Sequence, residues 1–597
     1  MSPRMLVGVD VGTTSVKVVA FGLGSGRRTV ATRSYPLLEP EPGHQVQDPL
    51  AVLAALEQAL GECVRATGGA DVVGLAVSTA MHGLVGLDAT GEPTTPLVTW
   101  ADGRAAEVAA DLRASGVAAR LHDVTGTPVH PMSPLTKLAW FARHRPDVVA
   151  RTHVWADVKA LVLGRLTGRA VTERSSASGS GLLDRRTGRW SAEALAVAGV
   201  DPLRLPPVVE PGEALALEPG VAGRVGLLPG TPVVAGGADG PLGNLGVGAL
   251  DTGVLGLSLG TSGAVRTVTA TPPEDLDPGL FCYALRGPLW VVGGAVSTGG
   301  VVLRWSADAL APELPNDGAA REAVLLAEAA HVPPGSDGLV MLPHLLPERA
   351  PSWDPTLPGA YLGLRPGHGR GHLVRAAVEG VALQLAGLVE RLDALHPVTE
   401  VRATGGTLRS PVWRETLAAA LGRPVRVVDA VAGSALGAAA LGAEALGLAP
   451  DLPAALALLA GPGDVGAPGT DDDVVVPDAA AVDALRRSRD AVPRYLDALR
   501  ASVGPSGQSS PSTRSSEGTP SSEGTRSSEG TRSSEGTRSS ESGPAERGPA
   551  SPGGPRDAAY GAARPPGRAD APTAADAPAD GAGAPRTPVG RAVPAGT

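Results

Sequence analysis

The chain has 597 residues, 43% of them hydrophobic and 19% charged, with a formal net charge of −10. That length is too great for one compact core and predicts two domains plus unstructured chain, while the acidic balance argues against a nucleic-acid groove. Cys63 and Cys282 are the only cysteines and have no metal-ligand spacing; neither a disulfide framework nor a zinc site is expected, and a reducing cytoplasm fits best.

The N-terminal stretch, interrupted by Asp10 and Lys17, does not read as a signal peptide. Leu6–Val11 and Val16–Phe21 read as strands joined by Gly12-Thr13-Thr14-Ser15, with Gly22-Leu23-Gly24 leading into a further strand. Leu50–Thr67 has helical periodicity, Val72–Ser78 is a short apolar strand, and Ala80-Met81-His82-Gly83 is turn-like. Ala105–Ala114 is a helix, as is Leu373–Leu395. The apolar stretch Val431–Ala460 carries Glu444, Asp451, Pro450 and Pro453 without interfacial aromatics, so a buried Ala/Gly-rich helix pair is expected and no membrane span. From about Gly504 the composition changes. Ser515–Glu541 repeats the hexad S-S-E-G-T-R, and the remainder is Pro, Gly, Ala, Ser and Arg; such a tail buries too little to offset its ordering entropy and is expected to be disordered.

The hairpin at Leu6–Phe21 is echoed at Val254–Val268, whose turn reads Ser258-Leu259-Gly260-Thr261-Ser262-Gly263. Two such hairpins suggest a duplicated α/β architecture with a nucleotide between its halves, although glycine turns are also common in ordinary hairpins. Glycine lets backbone N–H groups approach a phosphate, and the hydroxyls of Thr13, Thr14, Thr261 and Ser262 are further donors. No Walker loop is present, and Lys17 follows the first turn on a strand. The lysines are only three, Lys17, Lys137 and Lys159; this arginine bias is read as that of a GC-rich genome.

Asp10 ends the first strand just before the phosphate turn, where a carboxylate needs a cation beside it. Mg²⁺ coordination is one reading and an Asp folded onto its own turn the other. Val233-Val234-Ala235-Gly236-Gly237-Ala238-Asp239-Gly240 ends a strand and opens a helix. Asp239 is either a helix N-cap or, at a strand's carboxyl end, a catalytic base. Ala403-Thr404-Gly405-Gly406 ends another strand in bare backbone against which an adenosine would lie, or forms a simple strand-to-helix turn.

These residues resemble the FGGY family of carbohydrate kinases over nearly all of Met5–Asp490. The resemblance is carried by Met132-Ser133-Pro134-Leu135-Thr136-Lys137-Leu138-Ala139-Trp140-Phe141 and by Gly359-Ala360-Tyr361-Leu362-Gly363-Leu364 with His372-Leu373 and Ala376-Ala377-Val378-Glu379. It implies an actin/hexokinase-like fold of two RNase-H-like domains with an interdomain ATP cleft. The expected division is 1–248 on the substrate side, 249–500 on the nucleotide side and 501–597 as tail. It further implies ATP and Mg²⁺ as cofactors, Asp10 as the metal-associated carboxylate, Asp239 as the base, Gly12–Ser15 with Lys17 and Gly260–Gly263 as the phosphate hairpins, and Gly405-Gly406 as the adenosine contact. Met81-His82 resembles a substrate-contacting pair, a satisfied core histidine being the alternative for His82.

Ser78–His82, Thr99–Arg104, Thr125–Met132, Phe281–Leu285 and Glu348–Pro351 resemble the gluconokinase branch, with Gly83 and Gly103 as departures. The expected reaction is transfer of the ATP γ-phosphoryl group to the terminal hydroxyl of D-gluconate, with small-molecule partners only. Arg104, His130 and Arg349 are the candidates for the acceptor's carboxylate. A ketopentose or pentitol kinase and an actin-like ATPase are the competing readings, and a homodimer is compatible with the sequence.

Overall fold

The structure, a computed structural model, describes residues 3–315, 317–428, 433–460 and 474–503. The expected tail with its hexads, and Val431 and Ala432 of the apolar stretch, lie outside these residues. The N-terminal region opens with β1 (Arg4–Val11), β2 (Ser15–Gly22) and β3 (Arg28–Ser34), then helix α1 (Pro49–Ala66). Asp48 starts α1 by accepting the Leu50 N–H ahead of Pro49, whose fixed φ suits a first helical turn. Val52, Leu56, Leu60 and Cys63 then form its buried stripe. β4 (Asp71–Thr79), α2 (Pro134–His144), α3 (Val158–Thr167), β5 (Ala214–Ala216) and β6 (Pro232–Ala238) follow, and α4 (Asp239–Gly246) begins directly where β6 ends.

The C-terminal region contributes β7 (Val254–Leu259), β8 (Gly263–Thr269), β9 (Phe281–Arg286), β10 (Leu289–Val296), α5 (Arg370–Leu395), β11 (Glu400–Thr404), β12 (Val425–Val427), α6 (Gly433–Ala445), α7 (Leu452–Leu459) and β13 (Val474–Val475).

The sheets have the orders β5-β6-β4-β1-β2-β3 and β9-β10-β8-β7-β11-β12-β13. In the first, β1 to β3 form an antiparallel meander, β4 and β6 continue parallel to β1, and β5 closes the edge antiparallel. In the second, β7, β8 and β10 form the meander, β11 and β12 continue parallel to β7, and β13 closes the edge antiparallel. The topology is thus repeated, and the two glycine turns occupy the same place in each copy. In both sheets the parallel strands bring their carboxyl ends to one side, where α/β folds keep ligands.

One hydrophobic cluster joins the halves, taking Leu6, Ala76 and Val234 from the first sheet and Leu255, Val265 and Ala403 from the second. The contact is made by α6, whose Ala/Gly-rich sequence lets backbones touch. A Cβ on Gly437 would overlap the Leu242 carbonyl of α4, and one on Gly8 of β1 would overlap the Ala435 carbonyl of α6. Neither neighbour is a flexible side chain, so the backbone itself would have to move. Gly437→Ala is therefore expected to lower stability by about 3 kcal/mol, read as a lower midpoint in chemical denaturation. The expected helix pair in the apolar stretch is α6 and α7, buried at Ala435, Leu436, Leu441, Leu452 and Leu456. The one helix long and apolar enough to cross a membrane, among the described residues, is α5; most of it is buried inside the protein.

Candidate active site

The first turn is held before any ligand arrives. Gly12 N–H donates to the Ser15 carbonyl at 3.0 Å, closing the hairpin. Tyr35 Oη donates to Gly12 O at 2.5 Å, Trp100 Nε1 to Thr13 Oγ1 at 2.9 Å, and Gln47 Nε2 to the Thr13 carbonyl. Thr14 is exposed, while Gly12, Thr13 and Ser15 are half-buried. Ser15 is the first residue of β2 and lies outside the turn proper.

In the second turn Gly260 N–H donates to Ser262 O at 2.9 Å. Gly260 O and Thr261 O take the N–H groups of Gly300 and Gly299, at 2.7 and 2.9 Å. Among the described residues, nothing beyond its chain neighbours lies within 4 Å of a Cβ built on Gly260, so that side of the turn is open. Gly405 comes alongside: at φ +129°, with the Leu259 carbonyl where a side chain would stand, the position admits only glycine. Thr407 Oγ1 donates to that same carbonyl at 2.7 Å. The structure thus brings Gly260–Gly263, Gly299-Gly300 and Gly405-Gly406 together. The Gly299-Gly300 pair escaped the sequence reading.

Asp10 and Asp239 lie close enough for their charges to interact. Asp10 faces Lys17 across the β1–β2 ladder and Ser78 across the β1–β4 ladder, and accepts the Ser78 hydroxyl at 2.8 Å. Burial and then repulsion from Asp239 push its carboxyl up to about 6. Asp239 is the first residue of α4, with Ala238 as the N-cap, so it does not cap the helix in the usual way. Burial raises it; the charge of Arg266 and the N–H groups of Gly240, at 2.8 Å, and Met81 draw it back. Arg266 comes from β8 in the second sheet, so Asp239 is answered by a cation from the other half of the chain.

Beneath both carboxylates sits Lys159. Its Nζ donates to Val77 O at 2.5 Å, Ala235 O at 2.7 Å and Gly237 O at 3.2 Å. The β4–β6 ladder is interrupted between Val234 and Gly237, and the lysine satisfies carbonyls at that bulge. Lys137 has a similar role nearby, donating to His82 O at 2.6 Å and Thr99 O at 2.7 Å. All three lysines therefore lie around this site. Their scarcity in the sequence was a usable signal.

His82 takes a left-handed φ of +64°. Its Nδ1 lies 2.8 Å from Gly179 O, and burial with the nearby Lys137 charge drives its pKa down to about 3. A neutral ring donating from Nδ1 keeps Nε2 as an acceptor. Met81 packs against Gly179.

Of the three carboxylate-binding candidates, Arg104 grips Asp102 through Nε at 2.7 Å and Nη2 at 2.9 Å and lies over Trp140. His130 uses both ring nitrogens, Nε2 toward Glu348 O and Nδ1 toward Met132 N–H, each at 3.2 Å. Arg349 stands apart, with its guanidinium over the Trp100 ring and its charge reaching Glu348, Arg266, Tyr283 and Asp239.

Residues 5–246 match the N-terminal domain, and residues 255–446 the C-terminal domain, of the FGGY family of carbohydrate kinases. The gluconokinase of Bacillus subtilis is 36% identical over 442 residues, covering 72% of this chain and 86% of its own length. Among solved structures, a gluconate kinase and a ligand-bound xylulose kinase, both from Lactobacillus acidophilus, each superpose with a TM-score of 0.77 at 29% identity, covering 84% of this chain and 99% of theirs. This chain belongs to the FGGY family of carbohydrate kinases, two-domain actin/hexokinase-like phosphotransferases that use ATP to phosphorylate a sugar hydroxyl.

Proposed function

We propose that this kinase phosphorylates the terminal 6-hydroxyl of D-gluconate, giving 6-phosphogluconate. What supports the reading is that Asp10, beside the first glycine-threonine turn, and Asp239, directly after β6, lie close enough for their charges to interact, joined to the 36% identity with a gluconokinase. The acceptor binds on the side of residues 1–248 and ATP on that of residues 249–500.

Asp239 orients the acceptor hydroxyl and takes its proton; a strong base is not required, because the phosphoryl transition state is loose and the proton leaves late. His82 Nε2 accepts from a neighbouring hydroxyl, and Met81 closes the apolar edge. The backbone N–H groups and hydroxyls of Gly12–Ser15 and Gly260–Gly263 hold the phosphates with Lys17, and Gly405-Gly406 admits the adenosine. Asp10 is suited to Mg²⁺: two mutually repelling carboxylates are relieved by a divalent cation, which when bound supplies charge against the phosphoryl oxygens.

An ADP-linked assay across gluconate, xylulose, ribulose and pentitols tests this. Gluconate is expected to exceed xylulose in kcat/KM by about a hundredfold, the worth of one charge-assisted hydrogen bond that the neutral competitor cannot make. Turnover of xylulose with none of gluconate would overturn the acceptor. Xylulose is the second reading because the xylulose kinase superposes as well as the gluconate kinase.

A further inference from the structure

Arg349 has an unusual setting for an arginine near a catalytic carboxylate. It is half-buried, and its guanidinium lies 4.8 Å from the centroid of Trp100. Nε donates to Ser297 Oγ at 3.2 Å and Nη2 to Val296 O at 2.8 Å. These bonds and the ring beneath fix the plane of the group. Nη1 has no protein partner among the described residues.

Among the described residues no carboxylate is in ion-pair contact with this guanidinium, although the Glu348 charge is the largest one opposing its burial. Glu348, its neighbour in sequence, gives Oε2 to His344 Nδ1 at 3.0 Å and Oε1 to the backbone N–H of Arg349 at 2.8 Å. Asp239 is answered by Arg266, the largest opposing charge on it.

A second observation stands independently beside the first. Tyr283 is 2% exposed and its hydroxyl has no hydrogen-bond partner among the described residues. Its ring is fixed by stacking on Phe281 at 4.3 Å and meets His82 edge-on at 5.9 Å. An orphaned buried hydroxyl costs about 1–3 kcal/mol unless something binds it. Of the unmet groups here, Arg349 Nη1 can only donate and Tyr283 Oη can donate or accept. One acceptor can meet both, and a carboxylate offers about four lone-pair sites.

We propose that Arg349, with Tyr283, forms the subsite that recognises the carboxylate of an acidic acceptor and so sets the enzyme's preference for sugar acids over neutral sugars. This rests on the gluconate reading above and names the groups that enforce it. Trp100 gives the subsite rigidity, because a guanidinium stacked on a ring and anchored at two nitrogens loses little freedom when it binds. Lysine would not reproduce the planar fork.

The test uses the full-length enzyme and compares D-gluconate with D-glucitol, its neutral six-carbon counterpart, and with D-xylulose. Each is measured as kcat/KM where turnover occurs and as Kd from tryptophan fluorescence where it does not. Arg349→Met is expected to lose about a hundredfold against gluconate, the loss of a charge-assisted bond, with the neutral acceptors and KM for ATP changed less than about threefold. Tyr283→Phe should lose about tenfold with the same selectivity. If Arg349→Met does not fold, Arg349→Lys carries the same comparison, with an expected loss of about tenfold.

A proportional fall for acidic and neutral acceptors, as a structural role would give, overturns the subsite; so does a folded variant that keeps its preference for gluconate. A wild-type enzyme that uses xylulose and ignores gluconate overturns the proposed function instead, so the two failures are distinguishable.

Discussion

Asp239→Asn is expected to yield a folded protein that binds ATP and has lost about 10²- to 10⁴-fold in kcat, the usual contribution of a positioned general base. Asparagine matches aspartate in size and keeps one oxygen for the Gly240 N–H, so the start of α4 is preserved. What disappears is the charge that answers Arg266 and that we propose accepts the hydroxyl proton. The same substitution removes the repulsion that helps to raise Asp10. Relief of Asp10 and the loss of Arg266's main counter-charge oppose each other, so its thermal midpoint should stay near that of the wild type while activity collapses. Turnover within about threefold of wild type on gluconate, measured alongside an unchanged Kd for ATP, would remove Asp239 from the role of base.

Much of this site was legible because it is built from local features. A strand, a glycine-threonine turn and a second strand form a readable unit, and its repetition at Gly260 follows from the duplicated sheet topology. Asp239 was visible for a similar reason: an apolar strand ending in glycines places the next residue at the ligand-bearing edge. The companions of these residues were harder to read. Arg266 lies within a strand of the second sheet and acts on Asp239 only because the two halves of the chain fold toward one another. Tyr283 sits in an apolar strand, where an aromatic residue is ordinary core, and only its unpaired hydroxyl distinguishes it. Arg104 shows the converse. Its motif drew attention to it, yet its fork is occupied by Asp102 two residues earlier, a local pairing that composition does not reveal. Likewise α5 has the length and hydropathy of a membrane span, and burial in the core accounts for both.

Lys159→Met is expected to be the most destabilising single substitution near the site, by about 3–5 kcal/mol, the cost of breaking a buried charge pair from one side. The lysine is 0% exposed and donates to three carbonyls. An ammonium supplies three N–H donors, one for each, whereas a neutral amine supplies two. Burial lowers its pKa, but Glu173, Asp157, Asp10 and Asp239 all oppose that shift, and the three acceptors require the protonated form. Methionine fills the same volume and can serve none of them. Glu173, also 0% exposed, would then lose the cation that most offsets its burial, although it would still accept the Ser175 and Ser176 N–H groups. Because these two residues oppose each other's burial, their effects should not add. The double variant Lys159→Met/Glu173→Gln is expected to regain about 1–3 kcal/mol over Lys159→Met alone, since the uncompensated carboxylate is gone while the carbonyls remain unpaired. Denaturant midpoints of the wild type, both single variants and the double variant measure this directly. A Lys159→Met midpoint equal to that of wild type would mean that the bulge between Val234 and Gly237 is held by backbone geometry alone, and that the positive charge beneath Asp10 and Asp239 is not what keeps that edge of the sheet in place.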